Sequence, residues 1–106
     1  MKFRIFALAL CFFLPRTFAS PAADRSWKGW ITDSRCGVAG AHPGDKECAK
    51  SCVKKGAKYV FVEDLNNKIY LLDPQDQVEA HAGDHVQITG TLVGHTVKFT
   101  AIQPLD

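Results

Sequence analysis

Three cysteines and a histidine fall within seventeen residues of one another: Cys36, His42, Cys48 and Cys52, spaced Cys-x5-His-x5-Cys-x3-Cys. Three sulfurs and an imidazole make a donor set suited to Zn(II) or Cu(I), because thiolates favour soft and borderline ions. Cys48 and Cys52 are four apart in a segment with helical periodicity, so both thiols leave the same helix face. Cys36 closes an apolar run. His42 sits in a loop bracketed by Gly40, Pro43 and Gly44, which gives the chain freedom to fold back on itself. Lys46 and Lys50 lie close in sequence and are expected to favour thiolate forms. The Cys-x3-Cys half departs from the Cys-x2-Cys spacing of zinc knuckles, so the motif is of modest specificity.

The same residues support two other readings. A small exported domain ordinarily uses cysteine for disulfides, and Cys36 bonded to Cys48 or Cys52 would staple the loop and helix to the rest of the chain. A Cys48–Cys52 bond suits helical geometry less well. Any bridge leaves an odd thiol, whereas a metal uses all three. The remaining alternative is thiol-redox chemistry, with Cys48 or Cys52 as nucleophile and Cys36 as resolving thiol.

Elsewhere the chemistry is thin. His81, His85 and His95 are scattered, and His85 alternates with core-type residues, which predicts a solvated ring. Trp27 and Trp30 read as core or rim aromatics. Tyr59, Phe61, Tyr70 and Phe99 could line a ligand-stacking face, but without interleaved basic residues they read as core and hairpin packing. Glu63, Asp64, Asp73, Asp76 and Asp84 sit at strand ends and in loops, where capping and turn roles account for them. No nucleophile–base–orienter set and no Gly-rich phosphate loop is present, so the chain is read as non-enzymatic, with the redox alternative open.

The chain has 106 residues. It opens on Met1-Lys2-Phe3-Arg4, continues with an apolar run from Ile5 to Leu14, and passes through Pro15 and Arg16 to Ala19-Ser20-Pro21-Ala22-Ala23. A basic start, a short apolar run and a small-residue exit form the pattern of a secretory signal peptide over 1–22, cleaved after Ala19 or Ala22. The run is too short to span a membrane, which takes about 20 apolar residues. Cys11 follows Leu10 rather than the small residue a lipoprotein site wants, and is expected to leave with the leader. The whole chain carries 13 basic and 11 acidic side chains. Loss of Lys2, Arg4 and Arg16 leaves 10 against 11, a formal −1. A near-neutral product lacks the basic footprint that nucleic-acid binding requires. The expected product, residues 23–106, is one small domain of a size at which a metal or disulfide often supplements the core.

The elements that must position the cluster are legible. Strand-like runs cover 27–32, 58–63, 68–72, 85–92 and 96–102, each rich in β-branched or aromatic residues and bounded by Gly, Asn, Asp or Pro. Asp64-Leu65-Asn66-Asn67 and Val93-Gly94-His95 read as hairpin loops. Gly90 inside the fourth run predicts a bulge or sharp bend. A helix is expected between Gly44 and Gly56, capped by Asp45, with 48, 49, 52 and 53 on one face and Lys46, Lys50 and Lys54 on another. A second, of about two turns, is expected from Pro74 to Gly83. The predicted class is mainly β (α+β): a small five-stranded OB-like barrel, with a cysteine-bearing helical insertion between strands one and two and a short helix between strands three and four. A flatter five-stranded α+β sheet would give the same order.

The segment Gly29-Trp30-Ile31-Thr32-Asp33-Ser34-Arg35-Cys36-Gly37, followed by His42 and by Cys48-Ala49-Lys50-Ser51-Cys52-Val53-Lys54-Lys55-Gly56, resembles small exported bacterial proteins of a family with no assigned function. The stretch Ala82–Leu92 is similar to the closing strands of those proteins and of exported OB-fold proteins generally. The resemblance covers about residues 28–103 and rests chiefly on Gly-x-x-x-Asp-x-x-Cys with the downstream Cys-x3-Cys. It implies an OB-like fold and a periplasmic or secreted location, and no reaction. The expectation is an exported binding or structural module whose partner is a small ligand or an envelope protein, with no nucleic acid and no membrane span after leader removal. Its cluster is a staple or a Zn/Cu(I) site. An oligosaccharide- or oligonucleotide-binding barrel remains an alternative.

Overall fold

The computed structural model describes residues 24–105. The expected leader and Cys11 lie outside the described residues. Five strands form one sheet: β1 (Arg25–Asp33), β2 (Tyr59–Glu63), β3 (Ile69–Asp73), β4 (His85–Val93) and β5 (Thr96–Pro104). One α-helix, α1 (Lys46–Lys54), lies between β1 and β2. Hydrogen-bonded neighbours run β1-β2-β3-β5-β4, and β4 pairs again with β1, so each strand has a partner on both sides. All pairs are antiparallel except β3 with β5. No helix among the described residues is long and apolar enough to cross a membrane.

The local signals explain most element ends. Asn67 takes a left-handed φ of 57° and turns the chain from β2 into β3. The expected irregularity in β4 is present, as the register against β5 shifts between Thr89 and Gly90. The core draws on Trp27, Ile31, Phe61, Tyr70, Val86 and Ile88, so the bland reading of Trp27 and of the β2–β3 aromatics holds. Phe99 packs against the same cluster.

Between β3 and β4 the structure differs from expectation. Instead of one short α-helix there are two consecutive 3-10 turns, Gln75–Gln77 and Glu79–His81. Val78 and Ala82 are both buried, as a helical face requires. Yet Val78, His81 and Ala82 donate to carbonyls three residues back, Gln75, Val78 and Glu79, at 3.0, 2.8 and 3.1 Å. The Gln75 side chain accounts for the tightening. It accepts from the Tyr59 N–H at 2.9 Å and donates to the Tyr59 and Leu72 carbonyls at 2.8 and 2.9 Å, tying the first turn to β2.

The end of β1 is where the fold meets the insertion. Successive strand residues face opposite sides, yet Ile31, Thr32 and Asp33 are all buried. Asp33 is paired with Tyr59 and Ile31 with Phe61, which puts Asp33 in the core-facing series. Thr32 belongs to the other face, and the insertion covers it. Its Oγ1 donates to Asp45 Oδ2 at 2.6 Å, with both residues buried. Asp45 therefore stands where a cap was expected but makes no side-chain cap bond. Its Oδ2 is committed to Thr32, whose hydroxyl is the donor that the covered end of β1 supplies. Two glycines permit the approach. A Cβ on Gly40 would lie 2.2 Å from Thr32 Oγ1, and one on Gly83 would lie 2.5 Å from the Lys46 nitrogen.

Thr32→Val keeps the shape and removes the donor from a buried carboxylate. The expected cost is about 2 kcal/mol, or a fall in Tm of about 10 °C for a domain of this size, read by thermal unfolding. An unchanged Tm would show that Asp45 finds another partner. Gly40→Ala is expected to destabilise at least as much, since the new methyl displaces the same bond.

Candidate metal centre

The insertion runs from Cys36 through a 3-10 turn (Gly37–Gly40) to α1, and it carries all three cysteines of the described residues. The turn after β1 is set by Asp33, whose Oδ2 accepts from the N–H groups of Arg35 and Cys36 at 2.8 and 3.0 Å. These bonds hold the Cys36 backbone against the end of the strand. On α1, Ala49 is buried in the core and Val53 packs against it. This docks the helix with Cys48 and Cys52 one turn apart. The helix leans on that docking, because Lys46, Lys50 and Lys54 repeat at a spacing that repels.

The outcome is a cluster of three thiols. The sulfurs of Cys36, Cys48 and Cys52 all lie within 4.8 Å of one another, with Cys36 and Cys52 half-buried and Cys48 exposed. All three are free thiols, so neither staple considered from the sequence is formed. His42, expected as the fourth donor, is not a member of this close group. It is exposed, and its Nδ1 donates to the Pro43 carbonyl at 2.7 Å. Loop freedom from Gly40, Pro43 and Gly44 permitted a return, but Gly40 is spent on the close approach to Thr32 instead.

The electrostatics also differ from expectation. The lysines were expected to favour thiolates, but the Cys36 thiol is pushed up from 9.0 to about 12. Burial is the main cause, followed by the charge of the Asp33 carboxylate and then by Cys48. Cys52 is raised as well, again by burial first, with Asp33 and Cys48 adding to it. No lysine contributes to either shift, whereas the buried Asp33 contributes to both. Sequence proximity identified the wrong neighbour. For Cys52 as a redox nucleophile the shift runs the wrong way.

Asp33 stands beside the thiols although the sequence marks it only as part of the Gly-x-x-x-Asp-x-x-Cys pattern. Its place at the end of an alternating apolar strand, three residues before a cysteine, was the available signal. His85 is not the solvated ring that strand alternation predicts. Its ring stacks on Trp30 with centroids 4.5 Å apart and planes 20° from parallel, and Nε2 bonds Asp64 Oδ2 at 2.7 Å. A half-buried position beside the indole, rather than free solvent, follows from the pairing of Trp30 with His85 across β1 and β4. Beside this stack lies a cleft of ≈ 330 Å³ bordered by Trp30, His85, Pro43 and Pro104, and none of the thiols lines it.

No protein family, curated protein or solved structure gives a significant match to the chain.

The raised thiols make stability pH-dependent in the absence of metal. A thiol whose folded pKa lies above its unfolded value keeps its proton longer in the native state, so stability is full below about pH 9 and falls as pH rises toward 12. Tyr59 and Tyr70, raised chiefly by burial, act in the same direction. Thermal unfolding in a chelator is expected to show Tm declining across that window, with a shallower decline in Cys36→Ser. Equal slopes for the two proteins would refute the Cys36 assignment.

Proposed function

We propose that the protein is a small exported binding module built on an OB-like barrel, and that its loop-helix insertion holds a soft or borderline metal ion, Zn(II) or Cu(I), through Cys36, Cys48 and Cys52. The observation that carries this reading is the mutual approach of the three sulfurs to within 4.8 Å. Metal–sulfur bonds of about 2.3 Å set neighbouring sulfurs somewhat under 4 Å apart, so a small contraction of the cluster around an ion suffices. The sequence supports export through the leader pattern, and in an oxidising compartment a bound metal explains how an odd number of thiols stays reduced. The strand order, with its parallel β3–β5 pair, supports the OB-like reading.

The role is binding or structural rather than catalytic. A metal that ties an insertion to a small domain contributes directly to its folding. Here it would hold the insertion over the end of β1, adding to the Thr32–Asp45 bond. The redox alternative loses support from the raised Cys36 and Cys52 thiols.

Intact mass of the mature product, residues 23–106, after export into an oxidising compartment, native and then denatured with thiol alkylation, tests this reading. One retained metal ion and three alkylatable thiols are expected, with binding abolished in the Cys48→Ser/Cys52→Ser double variant. A chain short of a pair of hydrogens, with a single alkylatable thiol, would make the cluster a disulfide staple and sink the proposal. So would a double variant that binds as well as the wild type.

A further inference from the structure

We propose that the buried carboxylate of Asp33 is the fourth ligand of the three-thiol site, and that the site accordingly takes a divalent ion of the Zn(II) class in preference to Cu(I). The inference rests on the metal-site reading above and names the ion and the ligand that complete it.

Asp33 is fully buried. One of its oxygens is accounted for, since Oδ2 accepts two backbone N–H groups of the turn that leads into Cys36. The other is not. Oδ1 is buried and is the one buried side-chain polar atom among the described residues that has no hydrogen-bond partner. An orphaned carboxylate oxygen in a protein interior is costly and calls for a cause, of which a bound ion is one. Oδ2 bonds the Cys36 N–H at 3.0 Å, which puts the carboxylate beside the covered end of the thiol cluster, and a contraction around an ion would bring Oδ1 into the group that the three sulfurs already form. Asp33, Cys36 and Cys52 then form the protein-side floor of the site. Cys48, exposed on α1, is the member free to close over the ion from the solvent side.

The choice of ion follows from the donor set. An oxygen donor suits Zn(II), which accepts Asp beside Cys in a four-coordinate tetrahedral site, whereas Cu(I) favours all-sulfur ligation. Charge points the same way. Three thiolates and a carboxylate carry four negative charges. A dication halves that total and a monocation leaves three, a larger burden for a partly desolvated site. His42 would have supplied a neutral fourth donor, but it is exposed and its Nδ1 is taken by the Pro43 carbonyl.

The test is a chelator-competition titration of the reduced mature product, residues 23–106, with Zn(II) and separately with Cu(I), comparing wild type, Asp33→Asn and His42→Ala. Asn retains a carbonyl oxygen for the Arg35 and Cys36 N–H groups, and thermal unfolding in chelator checks that each variant folds. Asp33→Asn is expected to weaken Zn(II) binding by about 10- to 100-fold, to leave Cu(I) binding unchanged or tighter, and so to reverse the metal preference. His42→Ala is expected to match wild type. If Asp33→Asn binds Zn(II) as tightly as wild type, Asp33 is not a ligand and the inference falls while the thiol site stands. If wild type binds neither ion, the thiol-site reading itself has failed. X-ray absorption at the zinc edge of the wild-type complex adds an independent readout. Three sulfurs and one oxygen without imidazole scattering, together with the weakened Asp33→Asn binding, support Asp33, and an imidazole signature overturns it in favour of His42.

Discussion

The hydroxyl of Thr32 and the carboxylate of Asp45 meet at 2.6 Å under the insertion, and much of the molecule is arranged around that contact. It joins the outer face of β1 to the first residue before α1. A buried hydrogen bond to a carboxylate is among the stronger single polar contacts a small domain can make, and it is intolerant of partial satisfaction. The chain accommodates it with Gly40 passing directly over the bond and Gly83 lying against the start of the helix. With α1 fixed there, Ala49 reaches the core and Cys48 and Cys52 face Cys36.

The next residue along β1 has the opposite orientation and the complementary task. Thr32 holds the insertion from outside, while Asp33, on the core-facing side, bonds the turn that presents Cys36 and lies beside the thiols. Two adjacent polar residues, each buried on a different face, therefore define both the attachment of the insertion and the environment of its sulfurs. This also explains why the thiols are raised. A carboxylate in a covered position disfavours further negative charge nearby, and burial compounds the effect.

Much of the architecture was legible in advance because it depends on local periodicity and turn chemistry. The five strands, the helix over α1, the hairpin with Asn67 and the bulge at Gly90 all follow from alternation, capping positions and residues tolerant of unusual backbone angles. The departures have a common origin in side chains that replace backbone partners. Gln75 tied to Tyr59 turned an expected helix into two 3-10 turns, and Asp45 tied to Thr32 gave up its cap. His85, read as solvated from its place in an alternating strand, found Trp30 and Asp64 across the sheet.

For the candidate site, the sequence by itself determined which atoms are available: three cysteines confined to one insertion, two of them a helical turn apart. It also determined the insertion's place between the first two strands, since spacing along a chain fixes order and helical phase. Only the tertiary structure decided that all three thiols converge, that His42 stays outside, and that Asp33 rather than the lysines sets their charge environment. The reason is physical. Thiol reactivity and metal affinity depend on distances and burial across elements, and those are fixed by the closure of the sheet and by one buried hydroxyl–carboxylate contact between residues thirteen positions apart.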